Sequence, residues 1–150
     1  IVAEQLALDF FDSDLQIEAT TGADIPWIFD VEGESGFRER ERKMIDHLSS
    51  KANIVLATGG GAVLASESRI CLSSRGVVVY LHASISQQLE RTSRDKSRPL
   101  LQTSDRQGKI LALMEFREPF YREIADIVMD TDKGNPKSIA TKIVKEIENF

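Results

Sequence analysis

A chain of 150 residues is the length of one domain, and 41% hydrophobic residues suffice for a core, which excludes a disordered segment. The net charge of −5 disfavours a nucleic-acid scaffold, and no apolar run is long enough to span a membrane. The one cysteine, Cys71, excludes an intramolecular disulfide and a cysteine-rich metal site. It fits a reducing cytoplasm and, between Ile70 and Leu72, reads as a small buried hydrophobe. His47 and His82 stand apart without ligand spacing and read as surface or structural residues. No basic segment followed by an apolar one opens the chain, so no secretory leader is expected.

In chain order, residues 1–8 read as the tail of an amphipathic helix. Phe10 and Phe11 form a short strand that ends in Asp12-Ser13-Asp14, and 15–21 is a short helix stopped by Gly22. Residues 25–31 and 36–50 form a helical region interrupted by Gly33 and Gly36, with Pro26 in its first turn. Within it, residues 38–43 mix charges at a spacing that predicts a solvated face with i,i+4 pairs. Residues 54–57, Ile-Val-Leu-Ala, form a buried strand that runs straight into Gly59, Gly60 and Gly61. A helix over 66–74 closed by Gly76 follows, then an apolar strand over 77–81. Ser84 can cap the helix carrying Ile85, Leu89 and Arg91. Residues 95–107 are polar, contain Arg98-Pro99 and read as a mobile loop. Residues 109–125 are helical with a break near Pro119, 127–129 form a last strand, and 136–150 form an amphipathic helix. Alternating strands and helices predict a single α/β domain with a parallel sheet flanked by helices.

Two features point to chemistry. Three glycines at the carboxyl end of a buried strand expose bare backbone N–H groups where ligands bind in α/β sheets. Asp12 and Asp14 at the other strand end suit either organising Mg²⁺ and accepting a hydroxyl proton, or capping the following helix; spacing does not choose. Arg38 and Arg117 are candidate anion forks, though each alone reads equally as a surface arginine.

Taken together and in order, Phe11-Asp12-Ser13-Asp14, Phe37-Arg38-Glu39-Arg40-Glu41, Leu56-Ala57-Thr58-Gly59-Gly60-Gly61, Arg98-Pro99-Leu100-Leu101 and Arg117-Glu118-Pro119-Phe120-Tyr121 resemble the shikimate kinases. The resemblance implies a P-loop kinase fold of the nucleoside-monophosphate-kinase-like group and ATP-dependent phosphorylation of the 3-hydroxyl of shikimate. It implies that Asp14 binds shikimate hydroxyls and is the base, and that Asp12 sits near Mg²⁺ through water. Arg38 and Arg117 clamp the shikimate carboxylate, and Gly60 and Gly61 offer it backbone N–H groups. Phe29, Phe37, Glu41 and Gly59 shape that pocket. Arg98 reaches the ATP phosphates from a lid over 95–107, and Arg91, Asn135 and Pro136 flank adenine. Residues 12–61 then form mainly the shikimate side of a cytoplasmic, monomeric enzyme.

The family's G-x-x-x-x-G-K-[ST] run and the strand before it do not occur in the chain, and Lys96 has no glycine loop around it to replace that lysine. The expectation is therefore an N-terminally incomplete domain whose fold lacks its first strand and which is inactive by itself. Alternatives are a binding module for shikimate without catalysis, or another small-molecule kinase of this fold, such as a gluconate kinase.

Overall fold

The computed structural model describes residues 1–92, 106–132 and 134–150. In chain order these form α1 (Val2–Leu6), β1 (Asp9–Asp12), α2 (Ser13–Thr21), α3 (Ile25–Ser49), β2 (Ile54–Ala57), a 3-10 turn (Gly60–Leu64), α4 (Ser66–Arg75), β3 (Val79–His82), α5 (Ile85–Thr92), α6 (Arg106–Ile124), β4 (Ile127–Asp130) and α7 (Pro136–Glu148). The predicted alternation holds, and all described strand pairs are parallel. The strands do not form one sheet among the described residues: β1 pairs only with β2 and β3 only with β4. No described strand bonds to both pairs, so the ladder stops after two strands on each side.

Capping sets most boundaries. Asp12 and Asp24 cap α2 and α3, and the Asp24 carboxylate accepts from Trp27 N at 2.9 Å. Gly22, at φ 71°, ends α2 in the left-handed region. Ser84 Oγ accepts from Gln87 N, the cap expected for α5.

Two predicted interruptions differ. Within α3 only Gly33 leaves helical geometry, at φ 74° and ψ 176°, a conformation that needs glycine, whereas Gly36 stays helical. Arg40 spans that kink to Glu32 with two bonds of 2.7 and 2.8 Å. α6 runs through Pro119 without ending; this proline is exposed, so the carbonyl it fails to serve can turn to water. The predicted loop over 95–107 falls largely outside the described residues, and α6 begins at Arg106. Cys71 is half-buried rather than a core hydrophobe, because its thiol faces Asp46 Oδ1 at 3.7 Å and donates to it.

The packing unit that matters for the site joins α2 to α3. Ile17, Ile25, Ile28 and Phe37 form one buried cluster, with Ala23, Phe29 and Met44 against it. Hydrophobic burial of this cluster fixes the start of α2 relative to the second half of α3. Further along α3, Ile45 is 0% exposed. Replacing Ile45 by alanine is expected to lower the unfolding free energy by about 2–5 kcal/mol, read from urea denaturation.

Candidate active site

Parallel pairing brings Asp12 opposite Ala57, so both chains leave their sheet at the same carboxyl edge. From β1 the chain turns directly into α2. Asp12 Oδ1 accepts from Asp14 N at 2.9 Å and Leu15 N at 3.2 Å, so Asp12 is the helix cap. Strand pleating therefore does not aim Asp12 and Asp14 together; Asp14 already belongs to the first helical turn.

From β2 the chain passes through Thr58 and Gly59 into the 3-10 turn. Here the glycines meet three charged side chains from three elements. A Cβ on Gly59 would lie 2.9 Å from Asp14 Oδ2. One on Gly60 would lie 3.0 Å from Tyr121 Oη and 3.1 Å from Arg117 Nη1, and one on Gly61 would fall on the Arg38 guanidinium. The glycines are needed for this close approach and not for a left-handed backbone, since φ at Gly59 is −71° and neither Gly60 nor Gly61 has positive φ. Tyr121 Oη also donates to Gly60 O at 2.7 Å, tying the turn to α6.

Arg38 is held from its own helix. Its Nη1 donates to Glu41 Oε1 at 2.8 Å and its Nε to Glu34 Oε2 at 3.3 Å. The guanidinium carbon lies 5.3 Å from the centre of the Phe37 ring, whose own centre is 5.0 Å from that of Phe29. The mixed-charge run 38–43 thus divides: Arg40, Arg42 and Lys43 pair on the solvated face as predicted, though only Lys43 with Glu39 at the expected i,i+4 spacing, while Arg38 turns inward with Glu41.

Glu41 is only 3% exposed. Desolvation pushes its carboxyl above its ordinary value, against the attraction of Arg38, while Asp14 raises it further and Arg117 lowers it. Arg117 Nε and Glu41 Oε2 are buried with no hydrogen-bond partner among the described residues. Asp14, Arg38, Glu41 and Arg117 thus form one charged cluster around the glycines. That cluster suits a small, hydroxylated carboxylate: two guanidiniums for its charge, a carboxylate for its hydroxyls and backbone N–H groups between them.

Other expected site residues fall elsewhere. Arg98 lies outside the described residues. Arg91 is in the last turn of α5. Asn135 caps α7 by accepting from Ser138 N at 2.8 Å, and Pro136 follows it in the first turn of a helix that packs on α1 and β4. Among the described residues no group of three or more His, Cys, Asp or Glu is placed to hold a metal ion.

Sequence reasoning missed an outer ring. Tyr121 packs its ring 4.9 Å from Tyr80, and Tyr80 Oη donates to Glu118, which also accepts from Arg122 at 2.8 Å. Desolvation and the bond to Glu118 both raise the Tyr80 hydroxyl above its ordinary value, so it remains a proton donor. Tyr121 was legible as the i+4 partner of Arg117 on one helix face; Tyr80 carried no signal, because its partners come from a distant helix.

Comparison with known proteins gives concordant results. A family model described as Shikimate kinase matches residues 1–148. A shikimate kinase of Legionella pneumophila is 56% identical over 144 residues, 96% of this chain and 82% of that protein. One of Psychromonas ingrahamii is 57% identical over 143 residues, 95% of this chain and 84% of that protein. Among solved structures, shikimate kinase from Acinetobacter baumannii in complex with shikimate is 47% identical with a TM-score of 0.96, covering 99% of this chain and 83% of that one. Shikimate kinase from Aquifex aeolicus is 32% identical with a TM-score of 0.84, covering 99% and 86%.

The raised Glu41 carboxyl has a signed consequence for stability. Its folded-state value lies above the ordinary 4.5, so its contribution is fully present below 4.5 and is lost as pH rises through the raised value. Relative to wild type, Glu41→Gln should therefore have a more favourable thermal midpoint at about pH 7 than at about pH 4, measured by circular dichroism.

Proposed function

The chain belongs to the shikimate kinase family, whose reaction is ATP-dependent phosphorylation of the 3-hydroxyl of shikimate, and we propose that the cluster around Gly59–Gly61 is where shikimate binds. The observation that carries this assignment is the contact of three successive side-chain-free residues with Asp14, Arg117 and Arg38. Arg38 and Arg117 grip the shikimate carboxylate with guanidinium N–H groups, and Gly60 and Gly61 add backbone N–H groups. Glu41 holds the Arg38 fork in place, and Phe37 with Phe29 forms the apolar wall beneath it. Asp14 accepts hydrogen bonds from the ring hydroxyls. It takes the proton of the 3-hydroxyl as that oxygen attacks the γ-phosphorus and the bond to the β-phosphate oxygen breaks.

ATP is the co-substrate. The chain carries no G-x-x-x-x-G-K-[ST] run, so the residues assigned here lie mainly on the acceptor side. Mg²⁺ neutralises phosphate charge in such transfers. One oxygen of Asp12 is taken by capping, and the other would be the one to hold such an ion, in keeping with the few protein ligands Mg²⁺ uses. Arg98, outside the described residues, is assigned to the phosphates, and Arg91, Asn135 and Pro136 to the border of adenine. Action as a monomer is part of the same reading, and dependence on ATP supports a cytoplasmic place. No helix among the described residues is long and apolar enough to cross a membrane.

In a form of the protein that also carries the phosphate-binding loop, Asp14→Asn should lower turnover by about 10²–10⁴-fold while circular dichroism stays native; near-normal turnover would remove Asp14 as the base. In calorimetry, Arg117→Ala should weaken shikimate binding by about 10–100-fold, the worth of a charged hydrogen bond. Gly61→Ala should weaken it comparably, because the new methyl displaces the Arg38 guanidinium. Unchanged affinity in both variants would dissolve the clamp.

A further inference from the structure

Arg69, on α4, touches none of the residues assigned to shikimate, yet it joins the elements that carry them. Its Nη1 donates to Val63 O at 2.6 Å and to Leu64 O at 3.3 Å, the last two carbonyls of the 3-10 turn. Carbonyls at such a terminus have no partner within the turn and must be met from outside. The same guanidinium lies 4.3 Å from the centre of the Phe120 ring, and its Nε is 3.5 Å from Glu123 Oε2. Its side chain is 18% exposed.

Phe120 stands between Arg117 and Tyr121 on α6. The 3-10 turn is therefore attached to α6 twice: Tyr121 holds its first carbonyl at Gly60, and Arg69, seated on Phe120, holds its last two. Between these attachments the backbone of Gly60 passes Arg117 closely enough that a Cβ would lie 3.1 Å from its Nη1, and a Cβ on Gly61 would fall on the Arg38 guanidinium.

We infer that Arg69 is a positioning residue for shikimate, setting the spacing between the Gly60–Gly61 backbone and the Arg117 guanidinium. A lysine has one ammonium and no planar face, so it can serve a carbonyl but not stack on Phe120 at the same time. The inference rests on the assignment of Arg117 to the carboxylate clamp.

The test is calorimetric shikimate affinity, read well below each variant's thermal midpoint, for Arg69→Ala, Arg69→Lys, Phe120→Leu, Arg117→Ala and the Arg69→Ala/Arg117→Ala pair. Arg69→Ala should raise Kd by about tenfold, because sub-ångström displacement of a clamp is costly. Arg69→Lys should recover part of the loss. In the Arg117→Ala background, Arg69→Ala should raise Kd by less than in wild type, since both act on one contact. A lowered thermal midpoint with unchanged Kd would make Arg69 a structural staple and overturn the inference. If Arg69→Ala does not fold, Phe120→Leu and Arg69→Lys decide: a raised Kd in both supports it and an unchanged Kd in both overturns it. Unchanged affinity in Arg117→Ala would overturn the clamp assignment itself and this inference with it, whereas unchanged affinity in Arg69→Ala alone overturns only the inference.

Discussion

The backbone at Gly59, Gly60 and Gly61 lies so close to Asp14, Arg117 and Arg38 that a side chain at any of the three positions would crowd or displace a charged neighbour, Arg38 at Gly61 most of all. This close approach governs the rest of the site. It demands that α2, α3 and α6 converge on one strand end, and the packing supplies that convergence. The Ile17–Ile25–Ile28–Phe37 cluster locks α2 onto α3, and Tyr121 with Arg69 locks the turn onto α6. Were any of these to slip by an ångström, Asp14, Arg38 and Arg117 would no longer meet at the glycine turn.

The same crowding concentrates charge. Two carboxylates and two guanidiniums share a poorly solvated volume, where separated ions are expensive. Arg38 and Glu41 answer this with a bond of 2.8 Å, but burial still drives Glu41 toward its neutral form. Any shift toward that form leaves the positive charge of Arg38 and Arg117 less cancelled, a bias suited to an anionic acceptor.

Much of this was legible along the chain. The strand before the three glycines, the cap at Ser84 and the solvated face of the 38–43 run rest on local rules, whereas the inward turn of Arg38 followed only from the resemblance. Where local rules conflicted, the outcome needed the fold. Pro119 was tolerated because its face of α6 is solvated, and Gly36 stayed helical because nothing required otherwise, whereas Gly33 alone took a backbone that other residues resist. Asp12 satisfied two readings equally until the helix start consumed one of its oxygens.

Residue order and spacing by themselves determined the alternation of strands and helices, the family and the roster of charged residues, because these depend on motifs and periodicities contained within short windows. Only the tertiary structure decided that the glycines serve space rather than backbone freedom, that Glu41 is buried against Arg38, and that Tyr121, Tyr80 and Arg69 brace the site. Those facts come from contacts between segments separated by dozens of residues, such as Tyr121 with Gly60 and Tyr80 with Glu118. Such contacts leave no period in the chain; they exist only once burial of the apolar faces has set the distances between elements.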